Sequence, residues 1–344
     1  MENYRKQYTF PVMADIMLRP GHYKKTKFTG TPGTADEDPV VLTKKNGKDF
    51  VILNITDNHF TDYDIRYLLG LIAKNTIKKL VAEVRPDLIT VTGDMVCARS
   101  SYGAIRQFTD MMESFGIPWA PVFGNHDDET NCDLNYLCDI MLESPHCLLK
   151  KGDPSMRCGN YIVNINDENG RTVESLFMVD SAHSLPCREA EDMIIRRGRE
   201  IGAEETAVFL HIPLADYQEA FDAAWDNERN CWLDGFGAMG ENHEKICCER
   251  DRDGNPVQRG FLERIKGVPS LRHVICGHEH LNNWSLDWNG VRLTYTLKVG
   301  MGSGFRKEFN GGTVITVGDM GIKSIVHRTR KGNRFTDIGK WEAE

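Results

Sequence analysis

The chain has 344 residues, 40% of them hydrophobic and 27% charged, which suits a globular protein with a sizeable core and excludes a disordered one. Its net charge of -8 is interrupted by no block of Lys and Arg, so nothing equips it as a non-specific nucleic-acid binder. No apolar run is long enough to cross a bilayer.

Pro11 and Asp15 break the apolar part of the N-terminus, which makes a poor signal peptide. The ten cysteines include no C-x-x-C pair. With no leader recognised, the expectation is a cytoplasmic protein with reduced thiols, and the vicinal Cys247-Cys248 reads as a packed segment.

Residues 1–48 are rich in Gly, Pro, Thr and Lys and read as an N-terminal extension of the same unit, with one short hairpin. Clear patterning starts at Asp49. FVILNIT (50–56) is a β-branched apolar run, a buried strand, and 62–84 follows with helical spacing up to Pro86. The alternation repeats with a strand at 88–92, a helix at 102–115 and a strand at 118–123. A helix over 134–142 follows.

Strands at 161–165 and 174–180 flank Asn169-Gly170, a hairpin turn. A charged helix near 188–202, a strand at 206–210 and a helix at 214–225 come next. Residues 226–258 are polar and irregular, a surface loop or cap. Strands at 273–277, around a second Asn-Gly at 289–290, at 313–317 and at 322–327 close the chain. No linker separates two units, so 49–344 reads as one α/β domain with a mixed sheet or two packed sheets.

The chemistry-bearing residues sit where these strands end. Asp57 and His59 follow the first strand, Gly93-Asp94 the second, and Gly124-Asn125-His126-Asp127 the third. His211 and Gly277-His278-Glu279-His280 follow two later ones. Each cluster alone is ordinary turn chemistry. Together they place five of the eleven histidines at strand ends, where the loops of α/β sheets converge on ligands. Imidazole, carboxylate and amide oxygen without Cys suit Mn, Fe or Zn rather than a structural zinc site.

The ordered set D-x-H, G-D, G-N-H-D, H and G-H-x-H resembles the calcineurin-like metallophosphoesterase superfamily. FLHIPLADY, ICGHEHLNNW and KVGMGSGF are similar to its purple-acid-phosphatase-29-like branch. The resemblance implies a four-layer αββα sandwich. It implies that Asp57, His59 and His280 hold one divalent transition-metal ion, that Asn125, His211 and His278 hold a second, and that Asp94 bridges them.

It further implies hydrolysis of a small phosphomonoester or phosphodiester by a hydroxide shared between ions about 3.5–4 Å apart. His126 would assist the leaving group and Asp127 would orient its ring. Tyr217 and Arg306 are candidate substrate contacts. Purple acid phosphatases proper carry a metal-binding Tyr where this chain has Cys97, read here as a buried spectator.

A nuclease on the same metal core and a non-catalytic scaffold are the competing readings. The first lacks a basic groove with interleaved aromatics. The second is expected to have lost ligands, and none is missing.

Overall fold

The computed structural model describes residues 37–343, apart from 62–65, 98–101, 130–132, 182–185, 244–246, 251, 255–259, 302–303, 305 and 333. The hairpin expected near the N-terminus lies outside the described residues. The first strands are β1 (Val40–Thr43), β2 (Phe50–Ile55), β3 (Leu88–Thr92), β4 (Trp119–Val122), β5 (Tyr161–Asn166), β6 (Thr172–Met178) and β7 (Glu205–Phe209). Then come β8 (Trp225–Asp226), β9 (Cys231–Trp232), β10 (Leu271–Cys276), β11 (Ser285–Trp288), β12 (Val291–Tyr295), β13 (Gly311–Val317), β14 (Ile322–Lys331) and β15 (Arg334–Glu342). Helices are α1 (Arg66–Val84), α2 (Tyr102–Glu113), α3 (Asn125–Asp128), α4 (Leu134–Leu142), α5 (Arg188–Ile201), α6 (Ala215–Ala224) and α7 (Phe261–Ile265).

Two large mixed sheets form among the described residues, in the orders β1-β5-β6-β7-β10-β12-β11 and β15-β14-β13-β2-β3-β4. β2, β3 and β4 run parallel, with Ile52 opposite Leu88 and Ile89 opposite Trp119. Every residue of β3 and β4 is buried, as expected of parallel strands covered on both faces. Pro121 is tolerated in β4 because that strand is a sheet edge.

The period-two alternation of β7 divides the core. Ala207 and Phe209 face the cluster that contains Ile52, Ile55, Val91 and Val122 of the opposite sheet. Val208 and Leu210 face outward onto Ala190, Met193 and Ile194 of α5 and Tyr217 and Ala220 of α6. Ala73, Ile77 and Leu80 of α1 cover the other sheet. Helix, sheet, sheet and helix are therefore the layers, as the αββα expectation has it. None of the described helices is long and apolar enough to cross a membrane.

Four sequence expectations need correction. β1 pairs in parallel with β5, so residues 40–43, read as part of an extension, are built into a sheet. The region 226–258 is not wholly irregular, because β8 and β9 form a small hairpin and Met239 and Asn242 bridge to Ser285 and Asn282. β15 was not expected at all. Its RFTDIGKWE is polar and largely exposed, so no apolar alternation announces it. Cys138 and Cys158 are disulfide-bonded, which corrects the expectation of uniformly reduced thiols and removes that basis for a cytoplasmic location. Helix α4 and the approach to β5 bring these two together from 20 residues apart.

Candidate metal centre

The parallel run β2-β3-β4 delivers Asp57, Asp94 and Asn125 to one edge of its sheet. β7 and β10, parallel neighbours in the other sheet, deliver His211 and His278 to the same rim. There the sheets touch: a Cβ on Gly277 would stand 2.1 Å from Thr56 Oγ1. Asp57, His59, Asp94 and His278 all hold positive φ (51°, 51°, 50° and 73°), which costs an L-residue and is offset only by firm surroundings. Backbone bonds supply some of that hold, with Asp57 N donating to Gly93 O and His59 N to Asp94 O.

Two groups of donors meet at Asp94. In the first, ligand atoms of Asp57, His59, Asp94 and His280 all lie within 4.8 Å of one another. His59 Nε2 stands 3.3 Å from Asp94 Oδ2, and His280 Nε2 is 3.1 Å from Asp57 Oδ1. In the second, His211 Nε2 lies 3.3 Å from Asp94 Oδ1, 3.2 Å from Asn125 Oδ1 and 3.3 Å from His278 Nδ1. His278 Nδ1 is 3.1 Å from Asn125 Oδ1. Donors at about 2.0–2.2 Å from one ion are spaced much like this.

The residues fit such ions. His59 is buried, and neither of its ring nitrogens has a well-directed hydrogen bond among the described residues, although Nε2 sits 3.3 Å from Asp94 Oδ2 and 3.7 Å from Asp57 Oδ1. A buried imidazole left so costs stability unless something else is bound. His211 Nδ1 donates to Thr92 O at 2.7 Å, which turns its other nitrogen and lone pair inward.

Burial alone raises the carboxyls of Asp57 and Asp94, yet His280 beside the one and His211 and His59 beside the other hold both well below the usual range. Burial and Lys298 push His59 down, but Asp57 and Asp94 outweigh them and carry it to about 10. His211 is carried to about 9 by Asp94 against its own burial. Both carboxylates therefore stay ionised although buried, the form that a cation would meet there.

His126 stands at the edge of this group, partly exposed, with Nε2 4.0 Å from Asp94 Oδ2. Asp127 does not orient it. Its two oxygens accept from Gly124 N at 2.8 Å and Val96 N at 3.0 Å, and the His126 ring meets Glu129 instead, Nδ1 to Oε2 at 2.8 Å. The reason is geometric: i and i+3 share a face of a helical turn, and adjacent residues do not.

Tyr217 is no substrate contact. It is fully buried, with its hydroxyl donating to Val274 O at 2.8 Å and its ring packed against Trp284 and Tyr295. Arg306 is exposed, its guanidinium 5.5 Å from the Phe309 ring centre. The Cys97 side chain lies beside His59, half-buried.

Three site residues escaped the sequence reading. Lys298 is buried, with Nζ 3.3 Å from His280 Nε2; burial lowers it to about 8 against the pull of Asp57 and Asp94. Glu129 was visible three positions after His126. Glu249, 2.8 Å from His278 Nε2, sits in the polar 226–258 stretch with no pattern around it.

Two sheets that meet at a rim of buried carboxylates and imidazoles define a metal-dependent phosphoesterase architecture. The calcineurin-like phosphoesterase family model matches residues 50–282, and the chain belongs to that family.

Among its relatives, the probable inactive purple acid phosphatase 28 of Arabidopsis thaliana is 26% identical over 294 residues, covering 72% of this chain and 69% of that protein. The probable inactive purple acid phosphatase 29 of the same plant is 23% identical, covering 73% and 71%. Phosphatase DCR2 of Saccharomyces cerevisiae is 25% identical, covering 83% of this chain and 53% of that protein. A dimetal phosphatase from Danio rerio is a solved structure similar to it at 12% identity and a TM-score of 0.48, covering 88% of this chain and 99% of that one.

Proposed function

We propose that this chain is a dinuclear metal-dependent hydrolase of small phosphate monoesters or diesters. The observation that carries the reading is Asp94, whose two oxygens face different imidazoles, His59 on one side and His211 on the other. In this reading Asp57, His59, His280 and Asp94 hold one divalent transition-metal ion, and Asn125, His211, His278 and Asp94 hold the other. Such ions, Mn, Fe or Zn, supply the Lewis acidity that activates water and offsets phosphoryl charge.

The chain's own residues do the rest. His126, accessible at the rim, donates a proton to the departing alkoxide from Nε2, while Glu129 holds its Nδ1 proton. Lys298, with Nζ 3.3 Å from His280 Nε2, adds a cationic group beside the first donor set. Burial of Asp57, Asp94 and His211 excludes bulk water from the ligand side. Arg306, at the exposed end of the Gly-rich segment, is our proposed contact for the outer part of the substrate.

Two relatives named as probable inactive phosphatases favour a second reading, a non-catalytic use of the fold. Against it, no member of the donor set is replaced here, and His126 keeps its place beside Asp94. The deciding experiment is elemental analysis of protein purified without chelator, together with a Mn-supplemented screen over phosphomonoesters, diesters, nucleotides and phosphoproteins. Metal approaching two per chain and turnover on one class support the hydrolase. Full metal content with no turnover on any class moves the chain to the scaffold reading.

A further inference from the structure

We infer that Glu249 is a positioning residue for His278, fixing which ring nitrogen faces the second metal position. The inference rests on the metal reading above and extends it to a residue outside the family's ligand pattern.

The geometry of one imidazole carries it. His278 Nδ1 looks inward, 3.3 Å from His211 Nε2 and 3.1 Å from Asn125 Oδ1. Its Nε2 looks the other way, 2.8 Å from Glu249 Oε1. A carboxylate accepts and cannot donate, so Nε2 carries the hydrogen, and the lone pair is left on Nδ1 where the other donors converge. His211 reaches the same result with a backbone carbonyl, Thr92 O on its Nδ1 and its lone pair on Nε2. The two imidazoles of this position thus present opposite nitrogens, each set by a partner behind the ring.

Glu249 is half-exposed, and an exposed pair is ordinarily worth little. What distinguishes this one is how the chain delivers it. Met239 pairs with Ser285 through both backbone bonds, at 2.8 and 3.0 Å. Glu241 N donates to Asn283 Oδ1 at 2.7 Å, and Asn283 N returns a bond to Glu241 O. These ties strap the segment to residues only a few positions beyond His280. Cys247 and Cys248 are then buried at 0% and 1% exposure, immediately before Glu249. Cys247 N donates to Gln218 Oε1 at 2.9 Å, and Tyr295 OH donates to Cys247 O. The vicinal cysteines act as an anchor, and the carboxylate emerges from it at the ring. Part of the 226–258 stretch therefore supports the metal site.

The test is a Mn²⁺ titration of the full chain by calorimetry, with elemental analysis, on wild type, Glu249→Ala, Glu249→Gln, His278→Ala and the double Glu249→Ala/His278→Ala. Loss of such an outer partner weakens metal affinity by about 10- to 100-fold. The expected result is that Glu249→Ala weakens one of two Mn²⁺ sites by that factor and leaves the other unchanged. Glu249→Gln, whose amide oxygen still accepts from Nε2, recovers part of the loss. In the His278→Ala background the Glu249 change adds nothing, because the two act through one ring.

Two full-affinity sites in Glu249→Ala, or equal weakening of both with a drop in Tm, overturns the positioning role while the dinuclear reading stands. A wild-type chain that takes up no Mn²⁺ overturns both.

Discussion

Gly124 lies so close to Asp94 that a Cβ added to it would stand 2.2 Å from Asp94 Oδ1 and 2.4 Å from Asp94 N. Its φ of -104° is open to any residue, so the need for glycine here is one of space. Gly124→Ala must push the Asp94 carboxylate, which faces both donor groups, away from its place. A shift of this kind costs about 100-fold in turnover. The expected variant folds with a lowered Tm, because backbone as well as carboxylate must give way, and loses affinity for both metal ions, read by Mn²⁺ titration beside kcat. Unchanged metal binding would mean that the strand-end loop yields and Asp94 does not move.

His126→Ala should keep its metal and lose about 10²- to 10⁴-fold in kcat, since its ring faces the rim and lies outside the donor groups. Glu129→Ala should lose less, because only the partner of Nδ1 is gone and the proton donor itself remains. Asp127→Asn should behave differently. It replaces an acceptor of two buried backbone N–H groups with an amide that repels one of them, at about 1–3 kcal/mol. Its signature is a lower Tm. A ruined kcat at normal Tm in Asp127→Asn would return the residue to catalysis.

How much of this was legible can be argued from single residues. The strands that end in Asp57, Asp94 and His278 announced themselves because parallel strands buried on both faces are unbroken apolar runs. The donors were legible because turn-forming Gly, Asp and Asn mark where such runs stop. Glu249 and Lys298 were not, since each reaches the site from a segment whose path is set by long-range packing. Tyr217 was misread for the related reason that an aromatic on an amphipathic helix faces core or cleft with the same spacing. Cys138 and Cys158 pair across 20 residues through helix placement, which spacing does not encode.

Glu174 supplies a pH-dependent prediction far from the metal loops. It is fully buried in β6, opposite Glu205 in register, and neither of its oxygens has a well-directed partner among the described residues. Burial, and then the charge of Glu205, raises it well above its ordinary value of 4.5. Below that value the carboxyl is protonated in the folded and the unfolded chain alike. Above it the unfolded chain releases the proton first, so this residue's contribution is lost as pH rises, by about 1.4 kcal/mol per unit, until the folded value is reached. Glu174→Gln should therefore raise Tm at neutral pH and leave it near wild type at about pH 4.5. Thermal scans of both proteins across that range check it; parallel curves would show that Glu174 ionises freely.

Asp94→Asn should be the most damaging single change in the donor set. Asp94 is the residue that faces both groups, 3.3 Å from His59 Nε2 through Oδ2 and 3.3 Å from His211 Nε2 through Oδ1. An amide is nearly the same size, so the surrounding packing survives, and Oδ1 can still accept from His126 N if the amide is turned that way. What it lacks is the charge and the second oxygen. Two like-charged ions held side by side repel, and a buried carboxylate between them offsets that repulsion. Asn125→Ala and His211→Ala each remove a donor from one group alone, and should empty the second position while the first keeps its ion. The comparison is metal content, Mn²⁺ affinity and kcat for the three variants under identical supplementation. Asp94→Asn is expected to weaken both positions, with turnover reduced by about 100-fold or more even at saturating Mn²⁺. His211→Ala and Asn125→Ala should retain close to one ion. If Asp94→Asn keeps two tightly bound ions and near-normal kcat, Asp94 does not join the two groups, and the dinuclear reading built on its two oxygens falls.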